Sequence, residues 1–177
     1  MTFSLVARCE ETGMLGTAVT SSSPAVAARC SYTRSGVGAV SSQNVTDPSL
    51  GTQSLNLLEE GLSASEVIDK IKSSTSNLEY TQVLIIDAKG QTAIHSGASS
   101  LGIWSEAKGK NVLSAGNLLA NDKVVNAVVK EFENTSGHIG DRLLAGLKGG
   151  LDAGGEAGSI HSAGIKISDK VSWPIID

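Results

Sequence analysis

Thr2 is the residue with the clearest chemical potential, because it directly follows the initiator methionine. Removal of Met1 would expose an α-amino group on a residue that also carries a hydroxyl. An α-amine titrates near neutral pH and can therefore act as the general base for that hydroxyl. This combination of nucleophile and base on one residue predicts hydrolysis of an amide. The alternative is an ordinary strand threonine with Met1 retained, in which case the amine is blocked.

An amide hydrolase also needs a hydrogen-bond donor for the negative oxygen that develops during attack. Asn117 is the leading candidate, since it follows Gly116 at the predicted end of a strand and could project its amide into the site. The alternative is that Asn117 simply adopts a turn conformation. Arg8 and Arg29 could bind a substrate carboxylate through paired hydrogen bonds, although either could equally be a surface arginine.

Further polar residues are predicted to line a substrate pocket. Ser21, Ser22 and Ser23 follow the strand that is expected to form a hairpin with the strand of Thr2. Asn44 offers a second side-chain amide, and His161 lies at the start of a late strand. For Ser22 the alternative is an ordinary loop at the end of a strand, and for His161 it is a structural role.

The sequence predicts neither a metal site nor a cofactor. His95, Glu156 and His161 lack the regular spacing of zinc-binding motifs. The Gly-x-Ser-x-Gly sequence of a serine hydrolase is absent. Cys9 and Cys30, the two cysteines, are predicted to be small apolar residues of the core. A flavin or metal enzyme stays the third possibility, behind a hydrolase and a binding protein.

Composition narrows the class of protein. The chain has 177 residues, which predicts one domain over 1–177, and 40% of them are hydrophobic. A net charge of −4 and an aromatic content of 3% argue against a nucleic-acid partner. No apolar run approaches the length of a membrane span. The amino-terminal residues lack the features of a secretory signal, so a cytoplasmic location is expected.

The order of predicted elements is strands, two helices, strands, two helices and a strand. Alternating apolar residues predict strands, and capping signals followed by apolar residues at helical spacing predict helices. The predicted strands cover 3–8, 15–20, 36–42, 81–87, 91–96, 112–115 and 161–167, with an extended segment at 173–176. The predicted helices begin near 48, 63, 122 and 139.

Helices that come in pairs between hairpin-linked strands favour an α+β fold over a doubly wound parallel sheet. Two sheets between two helical layers satisfy this order of elements. The predicted architecture is therefore a four-layer αββα sandwich, which is similar to that of the N-terminal-nucleophile hydrolases. Exposed sheet edges make a homo-oligomer the expected assembly.

Several segments together resemble the DUF1028 family, which is assigned to the N-terminal-nucleophile hydrolase-like superfamily. The matching segments are 1–8, 36–40, 42–48, 61–64, 115–120, 153–158 and 172–174. They occur in the family's order over nearly the whole chain. The resemblance implies the αββα fold and a threonine nucleophile at Thr2, and it implies no particular substrate.

The residues and the resemblance together predict a hydrolase of small C–N compounds, either amides or ureido compounds. Thr2 would be the nucleophile after removal of Met1. The alternative is a non-catalytic small-molecule binding or assembly protein on the same fold, with Met1 retained. In that protein an ordered ligand would contact Arg29, Asn44 or His161.

Overall fold

The computed structural model describes residues 1–177 and contains nine strands, five α-helices and one 3₁₀ helix. The strands are β1 (Thr2–Arg8), β2 (Leu15–Ser21), β3 (Ser31–Arg34), β4 (Gly38–Asn44), β5 (Thr81–Asp87), β6 (Thr92–Ser96), β7 (Ser105–Gly109), β8 (Val112–Asn117) and β9 (Ser162–Ser168). The α-helices are α1 (Ala27–Cys30), α2 (Ser49–Glu59), α3 (Ala64–Ser74), α4 (Val124–Asn134) and α5 (Ile139–Asp152). The 3₁₀ helix is Leu78–Tyr80.

The strands form two antiparallel sheets. The first sheet has the order β7-β8-β1-β2-β9, and the second has the order β3-β4-β5-β6. β1 is the central strand of the first sheet and pairs with β2 on one side and β8 on the other. The register places Thr2 opposite Ser21 on β2 and opposite Asn117 on β8.

The two sheets pack face to face, with one pair of helices on each outer face. An apolar layer that includes Val6, Leu84 and Leu113 fills the space between the sheets. The first sheet packs through its other face on α4 and α5, and the second sheet packs on α2 and α3. The predicted combination of two antiparallel sheets with paired helices is confirmed.

The side chains of β1 alternate between two faces, so this strand contacts both the helices α4 and α5 and the second sheet. Phe3, Leu5 and Ala7 are buried against α4 and α5. Thr2 and Val6 lie on the opposite face, toward the second sheet, because successive side chains of a strand point to opposite faces. The polar end of this inner face is therefore at Thr2 and the apolar end at Val6.

Helix capping follows the sequence closely. Ser63 and Glu66 form the expected capping box at the start of α3. Asp47 caps α2 by accepting a hydrogen bond from the Ser49 amide at 2.9 Å, and Asn121 accepts one from the Lys123 amide before α4 at 2.9 Å. These local signals specify where the helices begin.

The strand boundaries show where the sequence prediction was wrong. β3 and β7 were not predicted, because they are short edge strands with polar residues and no apolar alternation. β8 extends to Asn117, two residues beyond the prediction. The segment at 173–176 forms only an isolated bridge between Ile176 and Ile167.

None of the helices has both the length and the apolar character that crossing a bilayer requires.

Gly150 tests the close packing of α5 on β1. A glycine-to-alanine change inside a helix normally stabilises it by about 1 kcal/mol. At Gly150, however, an added Cβ would lie 2.7 Å from Cε2 of Phe3 and 2.6 Å from a methyl group of Val128. We expect Gly150→Ala to lower the free energy of unfolding by about 1–3 kcal/mol, measured by urea denaturation.

The exposed Lys148→Ala, in the same turn of α5, is the matched control and should be close to neutral. A stabilised Gly150→Ala variant would contradict the close packing of α5 on β1.

Candidate functional site

Three polar side chains form a row across the end of the first sheet. Ser21, Thr2 and Asn117 are direct neighbours on β2, β1 and β8, so their side chains share the face that is directed toward the second sheet. All three are buried, with Thr2 only 7% exposed. The Thr2 and Ser21 hydroxyl oxygens lie 3.0 Å apart. The fold thus places the candidate nucleophile between two polar neighbours.

The carbonyl oxygen of Met1 accepts hydrogen bonds from both hydroxyls of this row. The Thr2 hydroxyl and the Ser21 hydroxyl each donate to it at 2.6 Å. The Ser22 amide makes a longer contact with the same oxygen, at 3.4 Å. The carbonyl of the residue before Thr2 is therefore held within reach of the Thr2 hydroxyl.

The peptide groups around Ser22 are fixed from two sides. The carboxylate of Glu156 accepts a hydrogen bond from the Ser22 amide at 2.8 Å. A ring nitrogen of His161, Nδ1, lies 2.9 Å from the Ser22 carbonyl oxygen, which can only accept, so Nδ1 carries the hydrogen in this contact. Together these contacts hold the segment after β2 against the amino-terminal end of β1.

Glu156 is a buried carboxylate beside the start of the chain. One of its oxygens accepts the Ser22 amide, and the other accepts the Thr20 hydroxyl at 3.1 Å. Burial raises the pKa of Glu156 above its ordinary value. The two hydrogen bonds and the nearby positive charges of the terminal amine and His161 act on this pKa in the opposite direction, but they do not cancel the effect of burial.

Buried side-chain amides connect the row to the second sheet. The side-chain amide of Asn117 donates to the side-chain oxygen of Gln82, Oε1, at 3.0 Å. The side-chain amide of Gln43 donates to the same oxygen at 3.0 Å. Gln43 in turn accepts from the Ser4 hydroxyl at 2.6 Å. Gln82 also donates to Ser96 at 3.0 Å. These bonds satisfy polar groups that would be costly to bury alone.

Asn117 lies beside Thr2, as the sequence prediction required, and its backbone belongs to β8. The turn conformation is adopted by the next residue, Leu118, which has a φ of 49°. One hydrogen of the Asn117 amide is bound to Gln82. Because a side-chain amide carries two hydrogens, the second stays available for another acceptor.

Of the two arginines that were predicted to bind substrate, Arg8 lies far from this row, and Arg29 is hydrogen-bonded to backbone. Arg8 lies at the other end of β1, about 20 Å from Thr2 along an extended strand, and its side chain donates to the Ala88 carbonyl at 2.7 Å. Arg29 belongs to α1, and its guanidinium donates to the Pro24 carbonyl at 2.9 Å. Because β1 is extended, Arg8 at its far end cannot reach a substrate that is bound at Thr2.

Asn44 has a local structural role. Its backbone has a φ of 73°, which asparagine tolerates better than most residues. Its side chain donates to the Tyr80 carbonyl and accepts from the Leu101 amide at 3.4 Å. Both ends of the Asn44 amide are thus bonded to backbone.

The sequence prediction missed Gln82, and it assigned Glu156 no role at this site. Ser21, which was predicted with Ser22 and Ser23 to line the pocket, lies beside Thr2. A polar residue at an inward position of an otherwise apolar strand was the available signal for Gln82. Glu156 lies in a glycine-rich loop, where nothing in the sequence indicates burial. No cluster of metal-ligating side chains occurs in the structure, and both cysteines are buried free thiols.

Two clefts of about 510 and 520 Å³ lie away from Thr2. The first is lined by residues between Gly36 and Gln91, and the second includes Cys9 and Arg142. Neither contains a residue of the row. With Met1 in place, the Thr2 site is almost closed to solvent.

Comparison of this chain with known protein families and solved structures identifies its family and its fold. The chain belongs to the family described as "Family of unknown function (DUF1028)", which matches residues 2–177. A crystal structure of the DUF1028 protein SPO2555 from Silicibacter pomeroyi superposes with a TM-score of 0.91 at 24% sequence identity. The match covers 99% of this chain and 79% of that one. Comparison with curated proteins gives no significant match.

The raised pKa of Glu156 predicts a pH-dependent stability. The folded protein binds the Glu156 proton more tightly than the unfolded chain does, so this stabilising contribution is lost as pH rises through the folded pKa. Glu156→Gln keeps an acceptor for the Ser22 amide but does not titrate. We expect the free energy of unfolding of Glu156→Gln, relative to that of the wild type, to rise from about pH 4 to about pH 8. Urea denaturation at a series of pH values measures this difference.

The exposed Glu60→Gln is the matched control and should show no such trend. A difference between Glu156→Gln and the wild type that is constant with pH, or that has the opposite slope, would contradict the prediction.

Proposed function

We propose that this DUF1028 protein is a hydrolase of small C–N compounds, amides or ureido compounds, and that its fold is of the N-terminal-nucleophile type. Thr2 acts as the nucleophile once it is the first residue of the chain. The observation that carries the proposal is the Thr2 hydroxyl, buried at the end of the central strand and directed at the carbonyl that precedes it.

The reaction uses two groups of one residue. The free amine of Thr2 accepts the hydroxyl proton while the oxygen attacks the substrate carbonyl. The C–N bond then breaks, the leaving nitrogen takes the proton from the amine, and the acyl group stays on the Thr2 oxygen as an ester. Water hydrolyses this ester with the same amine as base and restores the hydroxyl.

Asn117 serves this reaction from the β8 side of Thr2. Its second amide hydrogen has no partner among the protein groups, so it can donate to the oxyanion or contact the leaving nitrogen. The side-chain oxygen of Gln82 holds the Asn117 side chain in place by hydrogen bonding, and Gln43 donates to that same oxygen and so fixes Gln82. A donor that is already oriented needs no reorganisation during the reaction.

The alternative is a small-molecule binding protein with Met1 retained, in which a ligand would contact Arg29, Asn44 or His161. Each of these side chains is bonded to backbone, and each keeps a further donor or acceptor that a ligand could use. The small-molecule substrate, a homo-oligomeric assembly and a cytoplasmic location stay proposals drawn from the sequence.

Replacement of Thr2 tests the proposed function. Intact mass spectrometry first establishes that the purified chain begins with Thr2, and a library of small amides and ureido compounds is then screened for hydrolysis. We expect Thr2→Ala to lower kcat by at least about 10³-fold and Thr2→Ser to keep part of the activity, because serine retains the hydroxyl and the amine.

Thr12→Ala, in an exposed turn, is the matched control and should behave as the wild type. Full activity in Thr2→Ala would sink the proposal, as would hydrolysis by a chain that keeps Met1.

A further inference from the structure

The position of Met1 carries an inference about the substrate. Its carbonyl group is attached to the Thr2 nitrogen, and its oxygen accepts the hydroxyl hydrogens of Thr2 and Ser21 at 2.6 Å each. In the acyl-enzyme that the proposed reaction forms, the acyl group is attached to the hydroxyl oxygen of Thr2. Met1 can be regarded as an acyl group that is attached to the nitrogen of the same residue.

An acyl group on the Thr2 nitrogen and one on the Thr2 oxygen occupy overlapping space. Transfer between the two atoms passes through a five-membered ring, so the carbonyl carbon moves only a short way from one atom to the other. The Met1 carbonyl consequently stands in for the substrate carbonyl. The groups that contact Met1 are the groups that a substrate acyl chain would meet.

Ser21 is suited to stabilise the carbonyl oxygen. Its side chain is fully buried, and the Ser23 amide donates to its oxygen at 3.0 Å. This bond occupies a lone pair of the Ser21 oxygen and leaves the hydroxyl hydrogen for the Met1 carbonyl. Loss of Met1 would remove the acceptor and leave a buried, oriented donor beside the nucleophile.

Gly158 accommodates the side chain of Met1. A Cβ added at Gly158 would lie 2.6 Å from the Met1 methyl carbon and 3.1 Å from its sulfur, and it would meet no other group within 4 Å. The absence of a side chain at 158 thus leaves room for the far end of the Met1 side chain, its sulfur and methyl group. The near end of the same residue is the carbonyl that Ser21 binds.

We propose that the space filled by Met1 is the acyl-binding site, which takes an unbranched apolar acyl chain of about the length of methionine. Ser21 donates to the carbonyl oxygen, Gly158 forms the surface under the chain, and Asn117 contacts the leaving group. This inference rests on the proposed function, since it presumes that Thr2 is the nucleophile.

The test uses p-nitrophenyl acetate and p-nitrophenyl hexanoate on the chain that begins with Thr2. The Thr2 oxygen forms a bond to the acyl carbon, its proton passes to the α-amine, and p-nitrophenolate leaves. Release of p-nitrophenolate gives the acylation rate, and peptide mass spectrometry locates the acyl group. The hexanoyl chain matches the path from the carbonyl of methionine to its methyl group.

We expect Ser21→Ala to slow acylation about 10²-fold, the usual effect of removing one oxyanion donor. We expect Gly158→Val to lower the ratio of hexanoate to acetate rates about tenfold, because the added side chain fills only the chain surface. Ala157→Val, an exposed neighbour in the same loop, is the matched control and should keep the wild-type ratio.

The outcomes separate the two proposals. Acylation of Thr2→Ala at the wild-type rate would refute the proposed function. If Thr2→Ala is inactive while Ser21→Ala and Gly158→Val keep the wild-type rate and ratio, the acyl site is refuted and Thr2 remains the nucleophile. If Ser21→Ala fails to fold, as judged by circular dichroism, the acyl site is tested by Gly158→Val alone. An unchanged ratio of hexanoate to acetate rates in Gly158→Val then refutes the acyl site.

Discussion

The pairing of β1 on both of its edges is the constraint on which the rest of the structure depends. Hydrogen bonds to β2 and β8 fix every residue of the first strand, including Thr2 at its end. A chain terminus is ordinarily mobile unless it is tied into a sheet. Here the tie brings Ser21 and Asn117 to the two sides of Thr2, so the register of two ladders defines the candidate site.

The space between the two sheets changes character along its length. Near Val6 and Leu84 it is apolar and close-packed. Toward Thr2 it contains the bonded amides of Gln43, Gln82 and Asn117, which link the sheets through directional hydrogen bonds. Buried amides are costly unless they are satisfied, and once satisfied they specify one arrangement of their neighbours.

The site differs in kind from the clefts on the molecular surface. It is nearly closed while Met1 is present, and its two hydroxyls, those of Thr2 and Ser21, are bonded to the carbonyl of that residue. Under the proposed function, removal of a single residue would convert a closed strand end into an open acyl site.

The sequence predicted much of the fold, because the signals involved are local. The alternation in β1, the capping box at Ser63 and the cap at Asp47 depend on residues within a few positions of one another. The edge strands β3 and β7 escaped prediction, since pairing with a neighbour, and not their own composition, makes them strands. For the same reason Arg8, although close to Thr2 in sequence, proved to be at the wrong end of a rigid strand.

By itself the sequence determined the family, the order of most elements and Thr2 as the candidate nucleophile. Only the tertiary structure decided which groups surround Thr2. Ser21 is 19 residues away, and Glu156 is 134 residues from the Ser22 amide that it binds. No local sequence pattern encodes these long-range contacts, because they follow from the register of the paired strands and from the burial that the pairing creates.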